Sequence, residues 1–268
     1  MPDTKQLRNR IRSVNSTLHL THAMELVAAS KIKKASERMT GSNEYACAAA
    51  EAMAVLAACP ACEKSPYLRS GMSGETRLIV IAGDRGMAGG YNANIYRLAR
   101  EYPDAKIIPV GKRAYERFGG DAFYGAEAFS TANARKIAEK LCGDYLEGTF
   151  GRFGILYTRY ISMMQQEASV RWILPLDKRE ARSSGKDIVF EPDEVYVMSS
   201  LVPEYVTGMI MASVRESFAS EVAARRMAMD SAGKNARQMI DDLTIKYNRA
   251  RQGAITQEIT EIVAGSGS

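Results

Sequence analysis

Proline is missing from both ends of this chain. All eight prolines avoid residues 3–59 and 204–268. A proline inside a helix costs about 3 kcal/mol, so each gap is free to form one uninterrupted helix. At about 1.5 Å per residue, such helices would run to roughly 85 and 95 Å. A compact chain of this length is only about 40 Å across. Two rods, one from each end, must therefore project from whatever the middle folds into. Cysteine is scarce as well. Cys47, Cys59, Cys62 and Cys142 are too few for a disulfide scaffold and suit a reducing compartment. Histidine is rarer still, at His19 and His22. Their spacing on a helix is half of a metal site, but no carboxylate or thiol completes it, so we expect a surface or interface role. No apolar run reaches the ~18 residues of a membrane span. The sequence becomes helical within a few residues of Met1, so we expect no signal or transit peptide. No Ser/His/Asp, Cys/His or paired-carboxylate arrangement stands out, and we expect no catalytic residue, metal set or cofactor. The net charge of +5 would suit nucleic acid, a membrane surface or an acidic protein, and does not choose among them.

The ends carry a regular pattern. Stepping by four and three from Leu7 gives Ile11, Val14, Leu18, Thr21, Glu25, Ala28, Ile32, Ala35, Met39, Ser42, Ala46, Ala49, Met53 and Leu56. All but Thr21, Glu25 and Ser42 are apolar, which reads as a coiled-coil seam. Gly41 is a candidate bend or fray. A second seam runs through Ala236, Ile240, Leu243, Tyr247, Ala250 and Ala254. It fades at Gln257 and Glu261, where the partner helix is expected to have ended, and Gly265 marks the stop. The economical arrangement is antiparallel, with Leu7 to Leu56 against Val222 to Ala254. Basic residues outnumber acidic ones by more than two to one over 5–38 and over 225–251. Such runs read either as a solvated face or as a rod threaded through an acidic partner.

The middle alternates between short apolar runs and helical patterns. Leu78–Ala82 and Ile107–Val110 read as strands, with Pro109 marking an edge. Residues 92–100, 114–118 and 132–146 read as helices. Ala122–Tyr124 is a candidate strand, and Ile155–Tyr157 and Val170–Leu174 read as later strands and a candidate hairpin. The alternation predicts an α/β fold with a mostly parallel sheet. Residues 178–198 read as a charged surface connection. The domains predicted are a discontinuous shaft, 1–58 with 199–268, and an α/β domain, 70–198.

Two motifs have more than one reading. Gly83-Asp84-Arg85-Gly86-Met87-Ala88-Gly89-Gly90 stands where doubly wound folds cradle phosphate. It is neither G-x-G-x-x-G nor a P-loop, and a tight structural turn is the better reading. Cys59-Pro60-Ala61-Cys62 has C-x-x-C spacing but follows a long helix and precedes a Ser-Pro turn. A thioredoxin-type motif follows a strand, so structural cysteines are expected.

Three stretches carry a family resemblance. They are RNRIRSVNSTLHLTHAMELVAASKIKKASERM at 8–39, DRGMAGGYNAN at 84–94 and YNRARQGAITQEITEIVAG at 247–265. Together they resemble the gamma subunits of F-type ATP synthases, in order and spacing from end to end. The resemblance implies a long antiparallel coiled coil of the N- and C-terminal helices plus a Rossmann-like α/β domain. It implies a non-catalytic central rotor stalk turning inside a hexamer of alpha and beta subunits. The α/β domain would lie near the epsilon subunit and the c-subunit ring, and the stalk would couple ion flow to ATP synthesis or hydrolysis. It implies no nucleic-acid partner, and membrane association only through partners, at the cytoplasmic face of the bacterial inner membrane. Residue by residue, Arg251, Gln252, Thr256 and Glu258 match the beta-subunit contact block, and Met24 matches the same level on the first helix. Glu191-Pro192-Asp193 resembles the lower loop that meets the c ring and epsilon. Three departures stand out. Met87-Ala88 replaces a common Leu-Cys, Gly253-Ala254 replaces a common Ala-Ser, and His19 and His22 stand where lysine or glutamine is usual, which would make that level sensitive to pH. The residues also admit two other readings. One is a Rossmann-like enzyme dimerised through its terminal helices, the other a coiled-coil nucleic-acid binder.

Overall fold

The computed structural model describes residues 2–69, 74–177 and 189–265. Helix α1 spans Pro2–Ala58, 57 residues, and α5 spans Glu194–Gly265, 72 residues. Between them lie β1 (Thr76–Ile81), α2 (Tyr91–Ala99), β2 (Lys106–Val110), α3 (Lys112–Phe118), α4 (Thr131–Leu146), β3 (Arg152–Tyr160) and β4 (Gln166–Leu174). The described residues fall into two compact units. One joins the outer ends of α1 and α5, up to Ala29 and from Arg225, and the other is Ser30–Ala224.

In the larger unit the sheet order is β2-β1-β3-β4, with β1 parallel to β2 and β3, and β4 antiparallel to β3. Strand alternation splits the core in two. Ile79 and Ile81 face one way, with Phe153, Ile155, α4, α5 and the end of α1. Leu78 and Val80 face the other way, with Leu156 and Ile95 and Ala99 of α2. Each of these strand side chains is fully buried, contributing about 1.5–3 kcal/mol. Pro109 stands on the edge strand, as its missing N–H requires.

Within this unit α1 and α5 run antiparallel. The Arg215 guanidinium donates to Ser42 Oγ, and Tyr45 packs so closely on Gly208 that a Cβ there would lie 2.6 Å from its ring. Ser42 and Tyr45 therefore meet Arg215 and Gly208, and Met53 and Leu56 share the core with Met198 to Val206, so the second half of α1 does not pack on the stretch after Val222. In the smaller unit Leu18 and Thr21 flank Gly233. None of the fifteen predicted α1 seam positions is exposed, Thr21 and Glu25 included. The six predicted α5 seam positions are likewise buried or half-buried.

Other expectations need correction. Gly41 neither bends nor frays α1, which is continuous through it. Residues 122–124 form no strand: Gly111 N–H donates to Tyr124 O, 2.6 Å, but Phe123 is exposed. Of the predicted connection at 178–198, residues 178–188 lie outside the described residues and 194–198 are already helical. Helix α5 thus starts before Pro203 and contains it. By length and composition α5 also passes for a membrane span, but 67% of its most apolar window is buried inside the protein, as expected of a core helix.

Candidate functional site

Beyond Ala254 every described residue of α5 is exposed. Arg251, Gln252, Thr256 and Glu258 all stand on this uncovered surface. The Thr256 hydroxyl donates to Gln252 O, 2.9 Å, so its proton is used within the helix and only its oxygen lone pairs face outward. Among the described residues Arg251 and Glu258 have no ion-pair partner, whereas Gln257 donates to Glu261 Oε1, 2.9 Å. Met24 is half-buried on α1, between exposed Leu20, Leu26 and Val27. His22 is exposed, with Nδ1 3.6 Å from Glu25 Oε2.

The polar motif was not the whole of this surface. Ile255, Ile259, Ile262 and Val263 are 46%, 56%, 70% and 64% exposed. They make an apolar complement to the polar residues of the same helix, of the kind that marks a protein contact; exposed Leu20, Leu26 and Val27 lie apart, on the stretch of α1 beside Gly233. The signal was present in the sequence: isoleucines four apart continue past the end of the seam.

Glu191, Pro192 and Asp193 are exposed just before α5. Asp193 also has a structural task, its Oδ1 accepting from Tyr196 N–H, 2.8 Å, which caps the helix. Val189, Val195 and Tyr196 beside it are exposed.

The glycine-rich turn is occupied by the protein's own groups. Asp84 Oδ1 accepts from Lys112 N–H at 2.9 Å and Ala126 N–H at 3.0 Å, and Oδ2 accepts from Glu127 N–H at 2.9 Å. Asn92 Oδ1 accepts from Gly83 N–H, 2.9 Å, and the Tyr91 hydroxyl reaches Ser217 O, 3.1 Å. A Cβ on Gly83 would lie 2.8 Å from the Glu221 carboxyl group. Two carboxylates therefore face the place a phosphate would take, the opposite of an anion cradle. The cysteines are structural in their surroundings. Cys62 Sγ donates to Glu194 O and Cys59 Sγ to Val55 O, both 3.5 Å. Burial raises both thiols, with Glu194 adding to the effect, away from the thiolate a redox motif needs. Among the described residues no group of three metal-ligating side chains assembles.

A further polar cluster joins β3 to α5, with no signal in the sequence. β3 outruns β1, which pairs only with residues 152–156. Past that point its open edge is met by α5. Thr158 N–H donates to Ser217 Oγ, 2.9 Å; Ser220 Oγ donates to Thr158 O, 3.1 Å; and Tyr160 N–H donates to Glu216 Oε1, 3.1 Å. Arg171 of β4 reaches Tyr157 Oη at 2.6 Å and Glu216 Oε2 at 3.4 Å. Side chains of a helix thus complete a strand's hydrogen bonding, locking α5 to the sheet.

Residues 3–268 match the family model described as ATP synthase. The ATP synthase gamma chain of Ruminococcus albus is 39% identical, covering 99% of this chain and 98% of its own length. That of Moorella thermoacetica is 38% identical, covering 99% of each. The chain belongs to the ATP synthase gamma family. A gamma chain described as sodium ion specific, from Acetobacterium woodii, is 34% identical over 98% of each chain. Among solved structures, the rotor of the Euglena gracilis mitochondrial ATP synthase shares the fold, with a TM-score of 0.63 at 17% identity over 95% of this chain and 99% of that one. The 84–94 block is architecture in this structure: Asp84, Tyr91 and Asn92 fasten the sheet, the turn and α5 together.

Proposed function

We infer that this chain is the central-stalk gamma subunit of an F-type ATP synthase, a non-catalytic rotor that couples ion flow in the membrane sector to ATP synthesis or hydrolysis on the beta subunits. The observation that carries this is similarity to gamma chains over the full length, with the paired terminal helices and the α/β domain that the family requires. Residues 1–58 and 199–268 serve as the shaft, and 70–198 as the domain near epsilon and the c ring. At the tip, Arg251, Gln252, Thr256 and Glu258 meet beta-subunit loops; Met24, whose neighbours on α1 lie beside Gly233 rather than level with the tip, meets beta lower on the shaft. Arg251 pairs with a carboxylate, and the exposed isoleucines slide on an apolar collar. At the other end Glu191, Pro192 and Asp193 meet the c ring and epsilon. The relatives named are bacterial, which supports a peripheral place at the cytoplasmic face of the inner membrane, held through partners.

The mechanism needs no chemistry on this chain. An asymmetric shaft cannot touch three beta subunits equally, so each is biased toward a different conformation. Rotation moves the bias from one to the next, and differential contact becomes differential nucleotide affinity. Gln252→Trp or Thr256→Trp is expected to lower steady-state ATP hydrolysis by the reconstituted complex several-fold while the free subunit keeps its helicity by circular dichroism. Unchanged turnover for substitutions at all four tip positions would reduce the tip to a passive bearing. Failure of the chain to co-purify with a hexameric ATPase would overturn the assignment itself.

A further inference from the structure

We propose that the outer edge of β2 is a docking site for an extended acidic peptide segment, which adds to the sheet as a further strand. The strand's direction of hydrogen bonding is set by two contacts. Ala82 N–H donates to Val110 O, 2.9 Å, so Val110 faces β1, while Gly111 N–H donates outward to Tyr124 O, 2.6 Å. A residue's N–H and C=O lie on the same side of a strand, and the side alternates. Ile107 and Pro109 therefore face outward with Gly111. The 119–124 segment bonds to this edge through Gly111 and packs on Pro109, where a Cβ on Gly120 would lie 2.9 Å from the ring; Asp121, Ala122 and Tyr124 form the far wall of the cavity beyond. The amide and carbonyl of Ile107 are left on an open edge, which is a template for pairing with another chain.

That edge opens into a cavity of about 460 Å³. Ile107, Ile108, Ile137 and Leu141 supply apolar lining. The charged groups at the cavity are unequal. Asp144 is taken by Arg77, which also binds Glu75 Oε1 at 3.1 Å. Lys106, Lys136 and Lys140 are exposed and, among the described residues, have no carboxylate partner. Lys136 and Lys140 are four apart and share a face of α4. Asp121 is the one remaining carboxylate. An open strand edge, an apolar floor and three uncommitted ammonium groups fit a strand that alternates acidic and apolar side chains, the backbone giving affinity and the lysines charge selectivity.

The test uses the full chain and a short, end-blocked, fluorescently labelled peptide of alternating glutamate and valine, followed by anisotropy. Hydrogen exchange is read in parallel. The expected result is saturable binding that slows exchange over residues 106–108. Lys106→Glu/Lys136→Glu/Lys140→Glu should weaken it at least ten-fold; these side chains are exposed, so the variant should keep the helical signal of the parent. A peptide with lysine in place of glutamate should not bind. The proposal falls if the acidic peptide does not bind, if the lysine peptide binds equally, or if protection appears away from β2. It falls also if free glutarate competes as well as the peptide, since the site would then be one for small anions.

Discussion

Asp84 illustrates how a motif can look like a ligand site and be a fastener. Its carboxylate accepts three backbone N–H groups, one from the start of α3 and two from the 126–127 loop, a pattern the sequence could not display because the donors lie about 28 to 43 residues away. Asp84→Ala should leave those donors unsatisfied and cost about 2–4 kcal/mol, with Asp84→Asn losing less; urea unfolding would measure both. The sulfur chemistry is a second test at this scale. Cys47 is exposed and Cys62 and Cys142 are buried, so a thiol reagent should modify Cys47 first in the native protein. Burial pushes Cys142 from 9.0 up to about 12, and likewise holds Tyr67 and Tyr145 at about 12. These groups are neutral when folded and ionise more readily when unfolded. Their contribution is complete below about pH 9 and is lost as pH rises toward 12. Melting temperature should therefore fall steeply across that window, and less steeply in Cys142→Ala.

At the scale of elements, the helices were legible where periodicity is local. Seam positions repeat every three or four residues whatever the partner is, so both seams could be read before the fold was known. The start of α5 could not. Pro203 reads as a boundary, yet the helix passes through it because Met198, Val202, Tyr205 and Val206 are all buried in the core around it; that packing offsets the lost hydrogen bond. Residues 122–124 failed in the opposite sense: an apolar run resembled a strand but had only one backbone bond to join it to the sheet. The exposed end of α5 was legible as polar residues after a fading seam, while its isoleucines, also in view, were read only as helix. Glycine offers a measurable handle on these helices. A Cβ at Gly41 or Gly253 would meet nothing within 4 Å. Alanine at either position should stabilise its helix by about 0.5–1 kcal/mol. For Gly253→Ala the expected reading is slower amide exchange from about residue 250 onward, with no change in the fold of residues 76–174.

At the scale of the molecule, a rotor works only if force applied to the α/β domain reaches the helix that continues into the shaft. Hydrophobic packing alone allows sliding, because it has no direction. The junction of β3 with α5 adds directed bonds: Ser217, Ser220 and Glu216 bind the backbone of Thr158 and Tyr160, and Arg171 ties β4 to Glu216. Ser217, Ser220, Glu216 and Thr158 are buried, so water cannot easily replace a broken contact there. A subunit with Ser217→Ala and Glu216→Gln keeps its apolar core and the exposed end of α5, but the joint between sheet and helix is looser. We expect it to assemble and to support near-normal ATP hydrolysis, since the tip still passes each beta subunit. ATP-driven ion pumping in reconstituted vesicles should fall by a larger factor than hydrolysis, because torque is lost to slippage at the junction. An equal fall in both would mean that the network contributes to stability alone. No fall in either would mean that packing between α5 and the sheet is sufficient to transmit the load.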